Sequence, residues 1–124
     1  MLNLNSVMVG TQNSDKLVKF YSDVFGKKPD MEESGWAGWM AGKSFFSIGA
    51  HDQVKGASAN PERVIFNFET PNVKEEFERI KAIDGAVIIK EPYQMGEQKD
   101  FLIATLADPD GNYFQLMSPW EEEK

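Results

Sequence analysis

Cysteine is absent from the sequence, and histidine occurs once, as His51. The absence of thiols excludes disulfide bonds, thiolate zinc sites, iron–sulfur clusters and a cysteine nucleophile. Positive charge is also scarce, because 13 Lys and Arg residues are set against 20 Asp and Glu residues, which gives a net charge of −7. This balance argues against nucleic acid or an anionic membrane as a partner, and it is compatible with a cationic ligand.

Long apolar runs are missing too. No stretch of the sequence approaches the roughly 18–20 apolar residues that cross a bilayer. The N-terminal residues lack the basic start and the apolar centre of a secretory signal. We therefore expect a cytoplasmic protein that does not bind membranes. The 124 residues, of which 41% are hydrophobic, suffice for the core of one globular domain.

The first half of the chain has the pattern of a strand, a helix and three short strands. Residues 2–10 alternate in part between apolar and polar, which predicts a strand. Apolar residues spaced four and then three apart predict an amphipathic helix after it. They are Leu17, Tyr21 and Val24. Asn13 or Ser14 is the expected N-cap of this helix, and Gly26 is expected to end it.

The second half repeats this order. Residues 63–69 predict a strand, and the helix after it shows the same apolar spacing. Its apolar residues are Val73, Phe77 and Ile80. Asn72 and Glu75 have the spacing of a capping box. Three strands follow, and the Asp-Pro-Asp-Gly sequence at 108–111 predicts a tight turn between the last two.

The repeat predicts two modules in one domain. Module one would cover about residues 1–51, a polar linker about 52–62, and module two about 63–119. Each module would form a small sheet with one face covered by its own helix and the other face open. Two such sheets facing each other would enclose a cleft.

Three stretches of the sequence resemble one known superfamily. They are SVMVGTQNSDKLVKFYSDVFG at 6–26, EEFERIKAIDGAVIIKEP at 75–92 and LADPDGNYFQLMSP at 106–119. All three are similar to the vicinal-oxygen-chelate superfamily, which includes glyoxalase I, extradiol dioxygenases, fosfomycin-modifying enzymes and bleomycin-resistance proteins. The resemblance implies an α+β fold of paired βαβββ modules around a cleft, assembled as a homodimer. It does not imply one activity, because the superfamily contains both enzymes and binding proteins.

The resemblance also implies where a metal would bind. The usual His and Glu positions fall on Ser6, Ser47, Ile65 (or Arg63) and Gln115. Hydroxyls, an aliphatic group and a neutral amide are poor ligands for a divalent transition metal. We therefore predict no metal and no cofactor at the usual place.

Strand alternation predicts which side chains line the cleft and which pack under the helices. The predicted ligand-binding residues are Ser6, Met8, Trp36, Trp39, Phe45, Ser47, Ile65, Asn67, Tyr113 and Gln115. The residues expected under the helices are Val7, Val9, Phe46, Ile48, Val64, Phe66, Phe114 and Leu116. Trp36 and Trp39, with a bulge or turn between them, would form a stacking platform, unless they serve as core or dimer contacts.

Three functions are compatible with these observations. The first is a metal-free protein that binds a small molecule of cationic or aromatic character, as in the bleomycin-resistance branch. The second is a lyase, isomerase or dioxygenase of the glyoxalase type, either metal-independent or with a metal on His51, Glu69 and Gln115. The third is an accessory domain without a small-molecule role. The missing metal ligands and the tryptophan-rich segment favour the first, and no catalytic residue is identified.

Overall fold

The computed structural model describes residues 1–120, which contain two helices and eight strands. In chain order these elements are β1 (Ser6–Thr11), α1 (Ser14–Phe25), β2 (Met31–Glu33), β3 (Trp36–Ala41), β4 (Ser44–Ala50), β5 (Phe66–Glu69), α2 (Val73–Lys81), β6 (Val87–Gln94), β7 (Leu102–Ala107) and β8 (Tyr113–Met117). The chain divides into two compact units, and the second begins at Ala57. We call them module one and module two. The predicted order of strand, helix and three strands is confirmed in both.

The two modules have the same sheet topology. Module one has the strand order β1-β4-β3-β2, and module two has the order β5-β8-β7-β6. In each sheet the first and last strands of the module pair in parallel, and the remaining pairs are antiparallel. The pairing of β6 with β7 is irregular, with register shifts on both sides of Lys90. The prediction of paired βαβββ modules is therefore confirmed.

Helix α1 forms as its sequence predicts. The Asn13 side chain accepts a hydrogen bond from the Lys16 backbone N–H at 3.3 Å, which satisfies a free donor of the first turn. At the other end Gly26 adopts a left-handed conformation with φ of 69°, which favours glycine. The predicted apolar residues of this helix are all buried. They are Leu17, Tyr21 and Val24.

Helix α2 also forms, with its predicted apolar residues buried. They are Val73, Phe77 and Ile80. The predicted capping box is wrong, because the Asn72 side chain makes no capping hydrogen bond. Its backbone N–H instead donates to Thr70 Oγ1 at 3.1 Å. Between residues 1 and 120, neither helix has the length and apolar character needed to cross a membrane.

Two strands begin later than their sequence pattern predicts. β1 starts at Ser6 because its pairing with β4 starts there, and Leu4 before it is exposed. β5 starts at Phe66, where its pairing with Phe114 begins. Val64 therefore lies outside the strand and is 62% exposed, so the prediction that it packs under a helix is wrong.

Candidate functional site

Each sheet has one face against its helix and one face away from it, which we call the open face. Side chains of register partners lie on the same face, so the pairing assigns the open face of module one. Its members are Ser6, Met8 and Gly10 of β1, Met31 and Glu33 of β2, Trp36, Gly38 and Met40 of β3, and Phe45, Ser47 and Gly49 of β4. Apart from two serines and one glutamate, these residues are apolar or glycine.

An aromatic pair lies at the centre of this face. The rings of Trp36 and Phe45 are stacked, with centroids 5.9 Å apart and planes at 26°. Gly38 makes room for this pair, because a Cβ atom there would lie 2.3 Å from the Phe45 ring. A Cβ atom on Gly49 would lie 3.2 Å from Met8 Sδ and 3.4 Å from Trp36 Cδ1. Without a side chain at position 38, the Phe45 ring can lie close to the sheet and form an aromatic surface with Trp36.

Trp39 does not belong to this surface. Its side chain is 0% exposed, its ring centroid lies 5.4 Å from that of Phe25 in α1, and its Nε1 donates to the Lys27 carbonyl at 3.2 Å. The pairing of β3 with β4 is regular, so no bulge brings the two tryptophans to one side, and their odd spacing puts them on opposite faces. The predicted platform of two indoles is therefore corrected: the aromatic partner of Trp36 is Phe45.

The other predicted residues of module one lie on the open face, as strand alternation predicted. Ser6 and Met8 are exposed on β1. Ser47 is buried, and its Oγ donates to the Val7 carbonyl at 3.3 Å. Their contact with a ligand stays a prediction.

The open face of module two carries a row of polar residues across four strands. Gln115 pairs with Asn67 on one side and with Thr105 on the other, and Lys90 pairs with Thr105. The Gln115 Nε2 donates to Thr105 Oγ1 at 3.1 Å, which orients the amide. The Lys90 Nζ lies 4.4 Å from the centroid of the Tyr93 ring. This row combines amide, hydroxyl and ammonium groups, which suits directional hydrogen bonding.

The remaining predicted residues of module two flank this row. Tyr113 pairs with Ala107 and is half-buried on the same face as Gln115. Ile65 is also half-buried but precedes β5, so pairing does not assign its face. Sequence reasoning missed Thr105 and Lys90, although Thr105 is the one polar residue of β7, which was a signal for it.

The turn predicted at 108–111 is confirmed, and its first residue positions β8. The Asp108 carboxylate is 1% exposed and accepts hydrogen bonds from the backbone N–H groups of Asp110 and Asn112, and from Asn112 Nδ2. The Gly111 N–H donates to the Asp108 carbonyl at 2.8 Å. These bonds fix the start of the strand that presents Tyr113 and Gln115.

His51 lies directly after β4. Its Nδ1 accepts a hydrogen bond from the Gln53 N–H at 3.1 Å and lies 3.8 Å from the Asp52 carboxylate. A shallow depression of about 570 Å³ lies beside it, formed by the ends of β1 and β4 with Val54 and Lys55. The bond at Nδ1 leaves Nε2 as the nitrogen that could face a ligand.

The positions where the superfamily places metal ligands do not fit a metal here. The Ser47 hydroxyl donates to a carbonyl and the Gln115 amide nitrogen donates to Thr105, while Ile65 offers no donor atom. Among residues 1–120, no three His, Asp or Glu side chains come together in a group that could hold a metal ion. The alternative set of His51, Glu69 and Gln115 stays a prediction, with His51 in module one and the other two in module two.

Two four-stranded mixed sheets, each with one helix and the same strand order, define the vicinal-oxygen-chelate fold. Within that class, the family model described as glyoxalase-like domain matches residues 6–117. The chain therefore belongs to the glyoxalase-like domain family. No protein of curated function matches the sequence at a significant level.

Solved structures of the same fold resemble the whole chain. A glyoxalase/bleomycin resistance protein/dioxygenase family enzyme from Burkholderia phytofirmans PsJN is 24% identical with a TM-score of 0.74, and the match covers 94% of this chain and 98% of that one. A glyoxalase-related enzyme from Fulvimarina pelagi is 15% identical with a TM-score of 0.77, covering 96% and 89%. The fosfomycin resistance protein FosX from Listeria monocytogenes is 18% identical with a TM-score of 0.72, covering 97% and 95%. At these identities the likeness shows the shared fold.

Proposed function

We propose that this protein binds a small planar molecule without a metal, in the manner of the bleomycin-resistance branch of its superfamily. The observation that carries the proposal is the stacked pair of Trp36 and Phe45, with Gly38 leaving room for Phe45. An aromatic surface favours planar ligands through offset stacking, and indole is the best aromatic partner for a cation.

Three exposed methionines around the aromatic pair support the same function. They are Met8, Met31 and Met40. Thioether side chains are flexible and polarizable, so they adapt to ligands of different outline. Exposed apolar side chains gathered on one sheet face are typical of a binding surface rather than of plain solvent-facing sheet.

The proposal keeps the ligand-binding role predicted for Ile65, Asn67, Tyr113 and Gln115. The two amides and the phenol would supply directional hydrogen bonds, and few such groups in an apolar setting are typical of small-molecule sites. The protein would act in the cytoplasm as a homodimer.

A second candidate is a lyase, isomerase or dioxygenase of the glyoxalase type. The observation that favours it is His51, whose Nδ1 is engaged by the Gln53 N–H. This bond orients the ring. Because Nδ1 accepts it, Nε2 carries the ring N–H, which would donate to a substrate oxygen.

Calorimetric titration with metal-free bleomycin and with acridine tests the first proposal. Trp36→Ala should raise the Kd for acridine by about fivefold or more, because a lost aromatic contact is worth about 1 kcal/mol beyond the area it buries. Trp120→Ala removes an indole that is 77% exposed outside the strands and should leave the Kd unchanged.

Two results would contradict the proposal. One is a Trp36→Ala protein that binds acridine as well as the wild type does. The other is a stoichiometric transition metal in elemental analysis of the purified protein, which would favour the enzyme. Loss of that metal would then be measured in His51→Ala, Glu69→Gln and Gln115→Ala.

A further inference from the structure

We propose that Glu33 makes the open face of module one selective for planar cations over neutral and anionic molecules of the same shape. The inference rests on the proposed function and names the ligand class of that surface.

Glu33 and Trp36 face each other across a tight hairpin. They are register partners at the end of the β2–β3 pair, with only Ser34 and Gly35 between them. Gly35 adopts a φ of 75°, a left-handed conformation that favours glycine. Directly opposed residues have Cβ atoms about 5 Å apart and lie on one face. The Glu33 side chain therefore begins beside that of Trp36, within reach of a ligand on the indole.

Glu33 alone supplies charge to this face. Among the open-face positions of β1 to β4, all within the described part of the chain, it is the one charged residue. Its side chain is exposed, and within residues 1–120 it forms no ion pair. By contrast, the nearby Asp30 carboxylate is bound by Lys27 Nζ at 2.9 Å and by the Met40 N–H at 2.7 Å. The charge of Glu33 is thus available to a ligand.

The combination of groups distinguishes ligands by charge. A planar cation on Trp36 gains stacking, the attraction of the indole face and the attraction of the carboxylate. A neutral ring gains stacking alone, and an anionic ring is repelled by Glu33. At an exposed position the two charge effects together correspond to about a three- to tenfold preference for the cation.

The neighbouring residue provides a matched control. Glu32 pairs with Ala37, a buried residue on the other face of the sheet, and it is exposed like Glu33. Glu32→Gln and Glu33→Gln change the net charge equally and differ in the face from which the charge is removed.

Fluorescence titrations of the full-length protein in mildly alkaline buffer test the inference with three probes of one shape. They are N-methylacridinium, which is a cation, neutral acridine and anionic acridine-9-carboxylate. We expect the wild type to bind the cation about three- to tenfold more tightly than acridine and the anion more weakly. Glu33→Gln should weaken binding of the cation by about two- to fivefold, which is the share of the carboxylate, without changing the Kd for acridine. The remaining preference for the cation is the share of the indole face. Glu32→Gln should keep the wild-type ratio.

Retention of the full wild-type preference in Glu33→Gln would overturn the inference. An equal loss in both variants would also overturn it, because the preference would then come from the overall negative charge. Either result leaves the proposed function intact if acridine binding still depends on Trp36. If neither acridine nor its cation binds the wild type, the proposed function and the inference both fail.

Discussion

Strands β4 and β8 occupy the same place in their two sheets, each between one parallel and one antiparallel neighbour. On the helix-facing side they are alike: Phe46 and Ile48 correspond to Phe114 and Leu116, and all four are buried. On the open side they differ. The residues there are Phe45, Ser47 and Gly49 in β4 and Tyr113, Gln115 and Met117 in β8.

This difference separates what the fold requires from what a ligand requires. A helix can pack on a sheet only if both surfaces are apolar, so that side of each module is constrained in the same way. The open side carries no such constraint. In module one Gly38 leaves room for Phe45, whereas the equivalent position in module two holds Thr105, which accepts a hydrogen bond from Gln115.

The largest expected effect is on stability, and it shows whether the helix-facing sides of β4 and β8 are equivalent. Phe46→Ala and Phe114→Ala should each lower the free energy of unfolding by about 3–5 kcal/mol, because each leaves a cavity in a packed core. Urea denaturation followed by circular dichroism measures both. A loss below about 1 kcal/mol in either variant would show that the two cores are not alike.

The second prediction concerns the turn of module two that begins at Asp108. Asp108→Ala should lower the free energy of unfolding by about 2–3 kcal/mol, since it leaves part-buried N–H groups of the turn without their acceptor. Asp84→Ala, which removes an exposed carboxylate, serves as the control in the same denaturation experiment. Equal stability of the two variants would refute the structural role of Asp108.

The third prediction tests the role of glycine on the open face of module one. Gly38→Ala should cost about 1–2 kcal/mol and weaken acridine binding, because the new methyl group displaces the Phe45 ring from Trp36. In a Phe45→Ala background the same substitution should cost much less, since the clash is gone. Additive losses in the double variant would argue against this explanation.

The smallest expected effect is the pH dependence of stability that comes from one carboxylate in each module, Asp30 in module one and Glu76 in module two. The hydrogen bond from Lys27, followed by that from the Met40 N–H, lowers the pKa of Asp30 below its usual value of 3.8. The hydrogen bond from Arg79 lowers the pKa of Glu76 below its usual value of 4.5. A lowered pKa stabilises the protein above the usual value, and this stability is lost as the pH falls through the folded-state pKa.

We therefore expect both ion pairs to contribute at neutral pH and to lose their effect in acid. Urea denaturation of Asp30→Asn and Glu76→Gln should differ slightly from the wild type at neutral pH and converge with it in strong acid. Glu76 should begin to lose its effect at the higher pH, because its usual pKa is higher. Divergence from the wild type that grows in acid would contradict the sign.

Local patterns in the sequence predicted most of the fold. The helices followed from apolar spacing, and the caps at Asn13 and Gly26 followed from residue chemistry that acts within one turn. The starts of β1 and β5 were wrong because a strand begins where its partner does. Those partners, Phe45 and Phe114, lie far along the chain.

The candidate site was less predictable. Strand alternation placed Met8, Phe45 and Ser47 correctly, and it would also have separated Trp36 from Trp39 had no bulge been assumed. The neighbour relation between Glu33 and Trp36 depends on the register of a hairpin. The interaction of Gln115 with Thr105 depends on a cross-strand pairing, and a single sequence does not reveal either.

The parallel pairing of first and last strands has a consequence for synthesis on the ribosome. β1 pairs with β4, so the sheet of module one can be completed only after Ala50 has been synthesised. All of its pairings nevertheless lie within residues 6–50. Its hydrogen-bonded framework can therefore be completed while module two is still being translated, and the edge of β1 that pairs with β4 is without its partner only until then.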